Sequence, residues 1–295
     1  MDNSLSASPD IAVSEHTQGP GAANVLPQND LARCPPWSLA AAVMTWIASV
    51  VLLFLPQVLA IPYIAVHYRN ARPTAEALMA DKTLILILIA GVLPAHIITL
   101  FIVWAVATRF GKLSIVETLG LRWNGTFTLA RSIVLAIVLY GAAFLLTLFF
   151  GGQGTALDKL VESSRSAALI IAFLAVATAP VVEESIYRGI LYPALEKVSG
   201  STFAVVLVTV LFAVPHVPQY WPNLAVIGSI TLLSVALTVL RARTGRLLPC
   251  IVVHLVFNGI QSVIIVADPY LRAAFENMRH ARSSGTIMHL LSCLH

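Results

Sequence analysis

Seven stretches of this chain, at about 38–66, 83–108, 127–150, 167–192, 202–218, 223–240 and 247–266, are long and apolar enough to cross a bilayer. One helical crossing takes roughly 20 such residues. The composition agrees: 58% of residues are hydrophobic and 11% charged, with a mean hydropathy of +0.85. Soluble domains average about 25% charged residues. The expected fold is therefore all-α, a polytopic bundle of transmembrane helices with seven or eight spans. Pro56 and Pro62 interrupt the first stretch, which reads either as one tilted span or as a span plus an interfacial piece.

The remaining segments are polar. Residues 1–36 are rich in Ser, Pro, Gly and Asn and are expected to form a disordered N-terminal tail. Residues 37–150 hold the first transmembrane helices, 151–268 a second helical group, and 269–295 a polar C-terminal tail. The net charge of +4 is small and spread over loops. It fits orientation charge on a membrane protein and not a nucleic-acid surface. Cys34, Cys250 and Cys293 are widely spaced and form no disulfide framework.

Lys and Arg in the loops set the expected orientation. One side carries Arg33, Arg109, Lys112, Arg122, Arg131, Lys197, Arg241, Arg243 and Arg246. The other carries Arg69, Arg72, Lys82, Lys159, Arg165 and the tail arginines Arg272, Arg279 and Arg282. The first group is narrowly larger, which places it and the N-terminus in the cytoplasm of a bacterial-type cell membrane.

Charged side chains inside a bilayer cost about 2.5–3.5 kcal/mol each on insertion scales. The chain nevertheless runs "EESIYR" (Glu183 to Arg188) out of an apolar helix. Glu184 and Arg188 stand at i and i+4 and are expected to pair. Glu183 is about 100° away around the helix and is left for another partner. Two further pairs stand at i and i+4, Phe212 with His216 in "FAVPH" and His254 with Asn258 in "HLVFN".

Helix arithmetic brings these groups to one depth. Glu183 lies about 17 residues before a turn at Gly200 and His216 about 16 after it, so both stand roughly 24 Å from that turn. His254 enters from the loop "RARTGR" on the same side. Pro180, Pro215 and Pro249 lie near the three motifs, and kinks there are expected to splay the helices and admit water. A wet cavity with a carboxylate, two imidazoles and a carboxamide has the groups for water activation and oxyanion stabilisation.

The ordered set EExxxR, FxxxH and HxxxN, each on an apolar helix within about 167–266, resembles the CAAX-protease and bacteriocin-processing family of intramembrane endopeptidases. The resemblance implies that Glu183 and His216 activate the attacking water, that His254 and Asn258 form the oxyanion hole, and that Glu184 and Arg188 support them. Characterised relatives commonly have eight spans, whereas seven are read here. The family is termed a metalloprotease, and Glu183, His216 and His254 would be the donors for Zn²⁺. A metal-independent glutamate mechanism is the preferred expectation, because Glu183 cannot readily be both tight ligand and free base and no HExxH pair is present. The implied partners are the bilayer and a membrane-anchored or lipidated protein substrate.

Two other classes carry the same polar residues. A proton-coupled transporter buries Glu and His, but would show inverted repeats with matching broken helices. A non-catalytic immunity or scaffold protein of the same fold would be expected to lose one motif position, and all are present.

Overall fold

The computed structural model describes residues 34–123 and 125–283. Most of the expected N-terminal tail, Cys293 and the end of the C-terminal tail lie outside the described residues. Among the described residues every regular element is helical. Seven helices are long and apolar enough to cross a membrane: α1 (Leu39–His67), α2 (Lys82–Thr108), α3 (Leu129–Phe150), α4 (Arg165–Ser199), α5 (Ser201–Tyr220), α6 (Leu224–Thr244) and α7 (Leu248–Asp268). Their outer faces carry large apolar side chains such as Phe101, Phe149 and Val206, as expected of surfaces in contact with lipid.

Local signals set the boundaries. Ser38 and Thr128 cap α1 and α3 by accepting from Ala41 and Arg131 backbone N–H groups. Asp81 caps α2 through the N–H groups of Thr83 and Leu84 and also accepts from the Tyr63 and Tyr68 hydroxyls at 2.9 Å each. These donors, the Leu84 N–H first, hold its carboxyl below the usual range. Gly200 at φ 80° makes the one-residue turn between α4 and α5. Helix α7 continues to Ser283, so the first part of the C-terminal segment is helical and leaves the apolar region without a break.

α4 is the centre of the bundle. Its second half packs against α1, α2, α5 and α6, and its middle against α7. Ile186, Ile190, Leu191 and Tyr192 of α4 join Val208 and Phe212 of α5 in the principal core. Two stretches of α4, Leu174–Thr178 and Ser185–Leu191, are wound as π-helix. Such single wider turns recur at functional sites.

Prolines explain two of the irregularities. In π register Ala175 would accept from residue 180, which is Pro180 and has no N–H. In α5, Pro215 likewise leaves the Leu211 carbonyl without its i+4 donor, and the helix tightens to a 3₁₀ turn at Val214–His216. Pro249 behaves differently from expectation. It sits in the first turn of α7, where an N–H would have no intrahelical partner, so it starts the helix without kinking it.

Candidate functional site

The three motifs meet around Glu184. Its Oε1 accepts from Arg188 Nη1 at 2.9 Å and stands 2.9 Å from His254 Nδ1. Both carboxylate and guanidinium are fully buried. Arg188 spends its other donors on α6: Nη2 on the Ser234 carbonyl at 2.9 Å and hydroxyl at 2.6 Å, and Nε on Thr238 Oγ1 at 3.1 Å. The expected i,i+4 pair is therefore present, and it belongs to a larger network joining α4, α6 and α7. Ser234 and Thr238 were not singled out from sequence. Their signal was there: two hydroxyls at i and i+4 in the apolar run "LLSVALTVL".

Phe212 is the apolar floor. The Arg188 guanidinium lies 4.5 Å from its ring centroid, and its ring stacks on His216 at 5.1 Å. His254 meets the same ring edge-on at 6.1 Å. Cation–ring contact of this kind is strongest away from water.

Glu183 faces elsewhere, as the 100° offset requires. Its side chain is 26% exposed and lines a cavity of about 670 Å³, together with His96, Tyr140, His216, His254 and Asn258. Glu183 Oε2 stands 3.8 Å from His254 Nε2, too long for a hydrogen bond and close enough for a charge contact. The cavity walls are mainly apolar side chains from α2, α3, α4, α6 and α7.

The two imidazoles are oriented from behind. His216 Nδ1 is 2.8 Å from the Phe212 carbonyl, which can only accept, so Nδ1 carries a proton and Nε2 is left for the cavity. His254 Nδ1 is held in the same way by the Glu184 carboxylate. Asn258 donates from Nδ2 to the Ala175 carbonyl at 2.9 Å. This is the carbonyl orphaned by Pro180, so Asn258 joins α7 to α4 and keeps one amide N–H for the cavity. The Leu211 carbonyl freed by Pro215 is met in turn by the Tyr187 hydroxyl at 3.3 Å. His96 of α2 lies on the cavity wall and hydrogen-bonds Thr178 at 2.8 Å.

Residues 165–260 match the family model of Rce1-like proteins, described as type II CAAX prenyl endopeptidase Rce1-like. This segment is similar to that family. The match covers about a third of the chain, from the start of α4 into α7, and contains all three motifs. Helices α1 to α3 lie before it. No curated protein and no solved structure matched the chain.

The donors expected for Zn²⁺, namely Glu183, His216 and His254, do not form a metal-binding group. Among the described residues no set of three or more His, Cys, Asp or Glu side chains has that geometry.

Proposed function

We propose that the protein is an intramembrane endopeptidase. It hydrolyses a peptide bond of a membrane-anchored or lipidated protein close to the cytoplasmic membrane face. One observation carries the reading. Of two adjacent glutamates, Glu184 is locked by Arg188 and His254 while Glu183 opens into a cavity lined by imidazoles. The first neutralises the burial of charge and the second is free to take a proton.

In this mechanism a water molecule lies between Glu183 and His216 Nε2. Glu183 removes one proton as the water oxygen bonds to the scissile carbonyl carbon. The carbonyl oxygen becomes an oxyanion facing His254 Nε2 and the remaining amide N–H of Asn258. His254 can donate there only when it carries both ring protons, with Nδ1 against the Glu184 carboxylate. The carbon–nitrogen bond then breaks and Glu183 returns its proton to the leaving amine. Proton transfer of this kind contributes about 10²–10⁴ in rate, and loss of one oxyanion donor costs about 10²–10³.

The substrate class follows from where the site lies. The cavity walls are apolar and open among membrane helices, so a membrane-held segment can enter them. The basic stretch Arg241–Arg246, at the end of α6 and the start of the α6–α7 connection, supports a cut near the face expected to be cytoplasmic.

Comparing N-termini in membranes carrying wild-type protein or Glu183→Ala tests the reading. New N-termini that appear with wild type alone, close to membrane or lipid attachment sites, are expected. Identical sets would overturn it. Stoichiometric zinc whose removal abolishes hydrolysis and whose return restores it would overturn the metal-independent step.

A further inference from the structure

A second, smaller cavity of about 170 Å³ lies between α1, α2, α4 and α5. It shares four residues with the large cavity: His96, Glu183, His216 and Gln219. These four stand at the junction, and the catalytic motifs account for only two of them. The small cavity has hydroxyls of its own from Ser49, Thr99 and Tyr187. Its walls are otherwise largely apolar, but a space of this size has room for water molecules that take these polar groups as partners.

His96 is held at the junction in one orientation. The Thr178 hydroxyl donates its single proton to the Leu174 carbonyl at 3.1 Å. Toward His96 it can therefore only accept, which puts the ring proton on His96 Nδ1, 2.8 Å away. Nε2 of the neutral ring is then a hydrogen-bond acceptor. Thr178 closes the π-helical turn of α4, five residues before Glu183, so the relay ties the ring of α2 to the segment that carries the catalytic carboxylate.

We propose that His96 is a positioning residue for hydrolysis: its Nε2 accepts a hydrogen bond from water in the small cavity, and that cavity feeds water to Glu183 from the side opposite the substrate groove. The inference rests on the endopeptidase reading and extends it to α2, outside the family match. It also separates two traffics. An apolar substrate segment filling the large cavity would otherwise exclude the water that the reaction consumes.

The test uses full-length protein in nanodiscs with a membrane-anchored fluorogenic peptide cut by the wild type. His96→Ala should lower kcat by about tenfold to a hundredfold, the scale of a misplaced reactant, and leave KM nearly unchanged. His96→Gln keeps an acceptor and should restore most of the rate. Thr178→Val should lower kcat in the same way. Nitrogen NMR of the histidine side chains supplies a readout independent of turnover. In wild type His96 should carry its proton on Nδ1, and in Thr178→Val the two tautomers should mix. Hydrolysis with unchanged kcat in His96→Ala overturns this role alone, as does a wild-type spectrum with the proton on Nε2. Wild-type protein that hydrolyses nothing overturns the endopeptidase reading and this role with it.

Discussion

Glu184 Oε1 receives Arg188 and His254 at the same 2.9 Å, so one buried oxygen ties the first helical motif to the third. Its other oxygen is buried with no protein hydrogen-bond partner. Glu184→Gln would remove the charge that balances Arg188 and turn an amide NH₂ toward a place without an acceptor. Breaking one side of a buried pair costs on the order of 3–5 kcal/mol. A clear drop in the unfolding midpoint of purified Glu184→Gln is expected, together with loss of activity. A variant as stable as wild type would show that the network is not what holds α4, α6 and α7 together.

Asn258 should prove bifunctional. Asn258→Ala leaves the Ala175 carbonyl without a donor, a defect worth about 1–3 kcal/mol, and removes an oxyanion donor. The kinetic loss should fall on kcat, by about 10²–10³. Stability and kinetics measured on one preparation separate the two effects. A change confined to KM would make Asn258 a substrate-positioning residue.

Tyr187 and Pro215 should be coupled. Tyr187→Phe deletes the donor to the Leu211 carbonyl, whereas Pro215→Ala supplies the missing backbone N–H to that same carbonyl. The cost of Tyr187→Phe should therefore shrink in the Pro215→Ala background, by a coupling of about 0.5–3 kcal/mol. Strictly additive unfolding free energies would show that the hydroxyl does not serve this carbonyl.

Much of this arrangement was legible in the sequence. All seven spans and the turn at Gly200 follow from apolar length and from one glycine. The Glu184–Arg188 pair and the separate direction of Glu183 follow from helical periodicity. What was not legible depends on contacts between helices. Nothing at His254 says that its Nδ1 will meet Glu184, 70 residues earlier. Pro180 signals a broken helix, but not that the break is a π turn repaired by Asn258. A kink is the expectation at Pro249 from sequence, which does not show that the helix starts one residue before it. Nor does the sequence around His96 show its partner Thr178 or the junction of two cavities, which other helices supply.

The loop between α6 and α7 should face the cytoplasm. In the last turn of α6 just before it, Arg241 is buried, donating to the Leu119 and Gly245 carbonyls, while Arg243 is exposed. In a variant with its own cysteines replaced, Cys at position 243 should resist an impermeant maleimide in intact cells and react after lysis. Labelling in intact cells would put the loop outside and move the proposed cut to the other membrane face.

The central claim is that Glu183 is the base. Glu183→Gln keeps the side chain's shape and its place in the cavity but cannot take a proton from water. The decisive measurement is the hydrolysis rate of a membrane-anchored peptide by purified, folded wild type and Glu183→Gln in the same nanodiscs. A fall of about 10²–10⁴ in kcat, with unfolding midpoints unchanged, is expected. Retention of most of the wild-type rate by Glu183→Gln would remove Glu183 from the chemistry.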